Sequence, residues 1–225
     1  MDLVKSYDFF QPETCQERLH IIGCGAVGST VAENLVRFGL TKITLYDFDT
    51  VEAHNIANQM YRATDIGKPK TTALAEYLKE INPELEEHLV IEEKGYTGQR
   101  LSGYVFLCVD NIDLRREIAT ANKSNPYIKA MFDFRIRLED AQHYAADWRN
   151  PKMVTNFLNT MQFTHEEAKA ETQVSACNIE LSVVPTVREV CLIGVCNFIN
   201  FVKSGGKAIK KMILVNPFMH EVQAF

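Results

Sequence analysis

Gly23, Gly25 and Gly28 follow the apolar run Leu19 to Ile22 in the spacing Gly-x-Gly-x-x-Gly, and Asp47 closes the next apolar run. Residues of these types in this order can hold a nucleotide. Gly23 can take a tight turn, Gly25 lets the backbone approach a phosphate with no Cβ in the way, and Gly28 lets a helix pack closely on the strand. Phosphate would sit on the free N–H groups at the helix start, where the macrodipole is positive. Asp47 is placed to accept hydrogen bonds from ribose hydroxyls. Taken alone, the glycines could form a turn that only packs; strand, helix, second strand and acid in order favour the nucleotide.

The elements that must position these groups follow from periodicity. Leu19 to Ile22 reads as a buried strand, and Ala26 to Arg37 as a helix with Val27, Val31 and Leu35 on one face, Phe38 continuing it and Gly39 ending it. Lys42 to Tyr46 is a second strand that delivers Asp47, followed by a polar, irregular segment to Asp65. A helix is expected from Pro69 to Ile81, closed by Asn82-Pro83. Strands follow at His88 to Glu92, Tyr104 to Val109 and Tyr127 to Phe132, with a helix from Asp113 to Asn122. Such alternation implies an α/β fold, a mostly parallel sheet with helices on both faces. Asp133 to Asp147 reads as an antiparallel hairpin. The polar stretch Asn159 to Ser175 carries almost no periodic signal and reads as a mobile crossover loop, extending over about 159–178. Leu181 to Val202 is an apolar helix with Pro185 in its first turns, and Met212 to Val215 a last strand. Residues 1–18, with Tyr7, Phe9, Phe10 and Pro12, read as a short docking arm, and 19–225 as a single domain.

A chain of 225 residues, 46% hydrophobic, can bury a full core. Its 24 Lys+Arg against 29 Asp+Glu give a formal charge of −5, which supplies no overall electrostatic footprint for nucleic acid or an anionic membrane. Cys15, Cys24, Cys108, Cys177, Cys191 and Cys196 form no Cys-x-x-Cys pair, so a structural zinc of that type is not expected. Cys24 and Cys108 read as small buried fillers, Cys191 and Cys196 as core positions of the last helix. No signal peptide is read, and the longest apolar stretch, Val190 to Val202, is broken by Gly194, Asn197 and Asn200. The expectation is a cytoplasmic protein with reduced thiols and no membrane span.

Asp47-Phe-Asp-Thr-Val-Glu-Ala-His-Asn-Ile-Ala-Asn-Gln59, Asp65-Ile-Gly-Lys-Pro-Lys70 and Cys108-Val-Asp-Asn111 carry a further signal. With the glycine motif, this series resembles the ThiF/MoeB/HesA family, the bacterial relatives of ubiquitin-activating enzymes, from about Leu19 to Gly206. The resemblance implies a Rossmann-like sheet with antiparallel strands at its far end, commonly in a homodimer. It also implies adenylation, with Mg-ATP, of the C-terminal glycine of a ubiquitin-like or sulfur-carrier protein. By position, Gly23, Gly25 and Gly28 wrap the phosphates, Asp47 holds the ribose, Asn55 and Gln59 approach the triphosphate, and Lys70 matches the phosphate-binding lysine. Asp110 matches the aspartate associated with magnesium; Asp49 and Asn111 join the nucleotide-binding set. Adenylation depends mostly on positioning and charge neutralisation, which a lysine and a carboxylate-held magnesium supply. The structural alternatives are a solvated surface lysine at 70 and a helix N-cap at 110, with Asn111 or Asp113 able to cap in its place.

Three departures stand against the resemblance. Asn58 occupies the position of an arginine that precedes the motif glutamine, the family's arginine-bearing N-terminal segment has no clear match in Met1 to Arg18, and zinc cysteines are missing. Arg62 and Lys68 are candidates to compensate. Cys177 falls where several members carry a reactive cysteine, and there a thiolate could form a thioester or a persulfide. His54 could reach phosphate or, preferably, cap its local turn. The competing readings are a binding module of the same fold that has lost turnover, adenylation of a small-molecule or tRNA-borne carboxylate, and, last, an NAD-dependent oxidoreductase. With no large extra domain, a separate conjugating or sulfur-transfer protein is expected downstream.

Overall fold

The computed structural model describes residues 1–171 and 181–225. One eight-stranded sheet runs through it in the order β3-β2-β1-β4-β5-β6-β7-β8. The strands are β1 (Leu19–Ile22), β2 (Ile43–Tyr46), β3 (Val90–Glu92), β4 (Gly103–Leu107), β5 (Ile128–Ile136), β6 (Ala141–Asp147), β7 (Met212–Asn216) and β8 (Glu221–Ala224). Pairings from β3 across to β5 are parallel, and those from β5 to β8 antiparallel.

Strands β1, β2 and β4 are buried at every position, because helices cover both faces. Successive side chains point to opposite faces, so Leu19, Ile21 and Phe106 enter one apolar cluster while Ile22, Val105 and Leu107 enter another. The first cluster is closed by α1 (Ala26–Arg37), α2 (Lys70–Ile81) and α6 (Val184–Lys203), the second by α3 (Ile112–Ala121) and α4 (Pro151–Asn159). Gly39, at φ +84°, turns the chain after α1 as its position predicts. Alone among the described residues, α6 is long and apolar enough to cross a membrane, yet Val187, Val190, Cys191, Val195 and Phe198 are packed into the core.

Several expectations change. The strand expected to stop at Phe132 runs on to Ile136 and turns into β6 as the hairpin, and α4 and β8 carried no recognised signal. The segment read as an aperiodic crossover loop contains α5 (His165–Glu171), anchored where His165 N–H and the Arg116 guanidinium meet the carboxylate of Asp113. The N-terminal arm docks on its own domain: Phe10 is buried against Phe38, edge to face, and the Lys203 ammonium lies 3.4 Å from the Phe9 ring centroid. Cys24, Cys108 and Cys191 are buried as read, but Cys196 is exposed, because it lies on the outward side of α6 with Leu192.

The antiparallel end is held by packing and one buried histidine. His143 Nδ1–H donates to the Asp133 carbonyl at 3.1 Å, and Asn197 Nδ2 donates to Nε2 at 3.1 Å, an arrangement only the neutral ring satisfies. Burial pushes the His143 pKa down to about 4, and burial with Arg18 nearby does the same to His20. Both rings therefore resist a proton that the unfolded chain accepts near the ordinary value of 6.5. Their contribution is complete above that pH and is lost as pH falls towards 4, by up to about 3 kcal/mol each. Urea midpoints should fall steadily between pH 7 and pH 4, and a flat profile would contradict this.

Candidate active site

In a parallel sheet, ligands bind beyond the carboxyl ends of the strands where the connections reverse direction. Here that point lies between β1, which leads outward to β2, and β4 on its other side. A cleft of about 1220 Å³ opens there. Small-molecule sites reach roughly 1,000 Å³, so the cleft has room for a nucleotide and part of a second reactant.

Its floor is set by backbone crowding. Gly23, at φ +95°, brings the turn against the next strand's loop: a Cβ there would stand 2.8 Å from the Cys108 carbonyl carbon and the Val109 nitrogen. A Cβ on Gly28 would stand 1.8 Å from the Gly23 oxygen, so α1 can rest on the turn only with glycine. Gly28 therefore shapes the cleft from behind, as the spacing predicts. Gly25 differs. It is the N-cap of α1, has no side-chain cap bond, and a Cβ built on it meets nothing within 4 Å. The helix start is thus open to the cleft, with its first N–H groups available to an anion.

Asp47 is built into the turn. Its Oδ2 accepts from Cys24 N at 2.6 Å and its Oδ1 from Asp49 N at 2.9 Å. Burial raises its pKa, opposed by these two N–H groups. Asp49 accepts from Lys70 Nζ at 2.8 Å, and Lys70, the first residue of α2, is 8% exposed. Tyr61 buttresses the pair, its hydroxyl 2.6 Å from the Cys24 carbonyl and 3.3 Å from that of Lys70. Asn55 spends its Oδ1 on Glu52 N, which leaves its N–H₂ as donor. Gln59 also lines the cleft, and its Oε1 is buried without a partner, an orphan that a bound group would satisfy. His54 pairs with Glu52 at 3.4 Å, a local role. Ile22, Tyr46, Phe48 and Tyr96 give the cleft an apolar wall.

Asp110 lies two residues beyond the Cys108 atoms that touch Gly23, is exposed, and makes no hydrogen bond or ion pair among the described residues. Asn111 caps α3, its Oδ1 accepting from Asp113 N and Leu114 N, and is not part of the cleft lining. Its side-chain oxygen is thus engaged in fixing the start of α3, next to Asp110. No cluster of acidic, histidine or cysteine residues that could hold a metal alone occurs among the described residues. One free carboxylate beside a phosphate cradle nevertheless fits magnesium, which takes one or two carboxylates and completes its shell with phosphates and water.

A family model for the ThiF family matches residues 10–207. The chain belongs to the ThiF family. It is 36% identical over 117 residues to ubiquitin-like modifier-activating enzyme 5 of Dictyostelium discoideum, covering 45% of this chain and 31% of that protein. It is 45% identical over 65 residues to the enzyme of the same name from Arabidopsis thaliana, covering 29% of this chain and 15% of that one. The chain thus spans a third or less of the length of these curated relatives. A crystal structure of PaaA superposes with a TM-score of 0.74 at 16% identity over 95% of this chain and 74% of that chain. E. coli MccB, solved with AMPCPP and MccA, gives 0.70 at 16% identity over 95% of this chain and 65% of that one.

Within this ThiF domain, neither Arg62 nor Lys68 brings its charge to the cleft. Arg62 is held by Asp65 and Glu80, and Lys68 by Asp65 and Glu76. Asn58 instead donates to Ser182 Oγ at 2.5 Å and ties the cleft wall to the start of α6. Cys177 lies outside the described residues. Periodicity missed Tyr61 and a buried ionic cluster of Arg115, Asp133 and Arg135. A signal existed for Arg115: it shares the helical face of Ile112, Ile118 and Ala119, where a charge is out of place.

Two glycine variants separate fold from site. Gly28→Ala should destabilise by about 3 kcal/mol through overpacking. Gly25→Ala should leave stability within about 1 kcal/mol yet weaken nucleotide binding more than tenfold, because its methyl enters open cleft space. Denaturant titration and calorimetry check both. Equal stability of the two variants would contradict the assignment.

Proposed function

We propose that the chain is an ATP-dependent adenylyltransferase that activates the C-terminal carboxylate of a small ubiquitin-like protein. The observation that carries this reading is that Lys70, Asp47 and Asp110 line one cleft with the open, glycine-built N-terminus of α1, Asp47 following β2 and Asp110 following β4 on the two sides of β1. Family membership and the ubiquitin-like modifier-activating relatives support it, as does the shared fold of MccB, a protein solved with ATP.

In this reading the N–H groups at the start of α1 receive the phosphates, Asp47 receives the ribose, and the apolar wall takes the base. Lys70, relieved of Asp49 by the nucleotide, neutralises charge on the phosphates, and Gln59 supplies an acceptor for a donor on the bound reactants. The substrate carboxylate attacks the α-phosphorus, the new bond joins carboxyl oxygen to that phosphorus, and the bond to the bridging oxygen breaks as pyrophosphate leaves with the electron pair. Magnesium on Asp110 would supply charge neutralisation for the leaving group.

ATP–pyrophosphate exchange with candidate ubiquitin-like tails tests it. Lys70→Ala and Asp110→Ala should each lower exchange by about a hundredfold or more, a loss typical of removing one preorganised charge. Lys70→Ala should also lower stability by about 1–2 kcal/mol, because the buried lysine stem loses its packing, a cost far too small to abolish exchange by unfolding. Exchange unaffected by both variants would overturn the reading. A second reading, a binding module without turnover, is favoured by the engagement of Arg62 and Lys68 in ion pairs away from the cleft. Tight nucleotide binding with no exchange on any tail would support it.

A further inference from the structure

The loop that presents Asp110 is held from below by a guanidinium. Arg115, 5% exposed on the second turn of α3, donates Nε–H to the Val109 carbonyl at 2.6 Å, and its Nη2 reaches the same oxygen. Its Nη1 donates to Asp133 Oδ1 at 2.7 Å and to the Phe134 carbonyl at 2.5 Å. The Asp133 carboxylate is completely buried, and its other oxygen accepts from Arg135 Nε at 2.7 Å. Arg135 in turn donates to the Thr160 carbonyl and hydroxyl, at 2.7 Å each. Burial alone would raise the Asp133 carboxyl, but the two arginines outweigh it and hold it below its usual range, so the cluster stays ionised. Three elements are thereby joined: the end of β4, the end of β5, and the turn after α4.

We propose that Arg115 is a positioning residue for Asp110: by clamping the Val109 carbonyl to β5 through Asp133, it fixes the loop that presents the carboxylate to the cleft, where it would hold magnesium. This rests on the proposed Mg-ATP reading. The peptide that follows Val109 carries Asp110; before it the chain is held by the Cys108 N–H bond to the Ile22 carbonyl and the contact with Gly23, and after it by the Asn111 cap on α3, so the Arg115 guanidinium is the side chain that grips the Val109 carbonyl between them. A planar guanidinium can serve Val109, Asp133 and Phe134 at once; an ammonium has no such fork.

The test compares Arg115→Lys with Arg116→Lys, whose wild-type guanidinium holds Asp113, Met161 and Phe163 but not Val109. Amide exchange over Cys108 to Ile112 should quicken by about tenfold in Arg115→Lys and stay unchanged in Arg116→Lys. The gain in ATP affinity that magnesium gives should shrink by about tenfold in Arg115→Lys, while metal-free ATP binding stays within about twofold of wild type. If Arg115→Lys does not fold, Asp133→Asn keeps the shape, loosens the guanidinium, and should show both effects at smaller size. A folded variant with wild-type loop exchange, or a magnesium effect equal in Arg116→Lys, overturns the inference. If magnesium adds nothing to ATP binding in the wild type, the metal role in the proposed function fails instead, and loop exchange alone decides whether Arg115 holds the loop.

Discussion

The site depends on backbone atoms of β1's turn and β4's loop being in contact, with no space for a methyl group between them. Gly23 meets the Cys108–Val109 peptide, and Gly28 meets Gly23. Because the strands are parallel neighbours, their carboxyl ends already lie a strand spacing apart; the glycines remove the remaining separation. That brings the open start of α1 beside Asp110. Cys24 and Cys108 fill the space behind, where burial raises both thiol pKa values and keeps them inert.

Charge around this contact is compensated at Asp49 and Asp47 and left open at Asp110. Lys70 is paired with Asp49, and Asp47 is bonded to two N–H groups. A polyanion would compete with Asp49 for the ammonium, an exchange of partners and not the filling of an empty charge. Cations further along the same loop are committed to structure: Arg62 and Lys68 pin the turn that precedes α2 through the buried Asp65. At the opposite end of the sheet, stacking of Phe132 and His143 and the close approach of α6 on β5 and β6 hold the antiparallel strands together.

Much of the nucleotide half was legible because each of its parts has a local cause. Glycine spacing, a helix with one apolar face, and an acid at a strand end are all written within thirty residues of one another. Parallel strands buried on both faces appear as unbroken apolar runs, so β1, β2 and β4 were found within a residue or two. What stayed illegible was decided by partners distant in sequence. The extension of β5 depends on β6 pairing with it, and β8 on pairing with β7 at an exposed edge whose residues lack alternation. Helix α5 is short and polar and is fixed by α3. Arg62 looked available because its partner Glu80 lies a helix away. Cys196 looked buried because apolar neighbours hid the direction in which it points.

The most direct test of the site is a structure with a non-hydrolysable ATP analogue and magnesium. The phosphates should lie on the N–H groups of Ala26 to Gly28, with Lys70 Nζ moved from Asp49 to a phosphate oxygen and the metal on Asp110. A nucleotide bound elsewhere, or one in the cleft that leaves the Lys70–Asp49 pair intact and Asp110 without metal, would contradict the assignment.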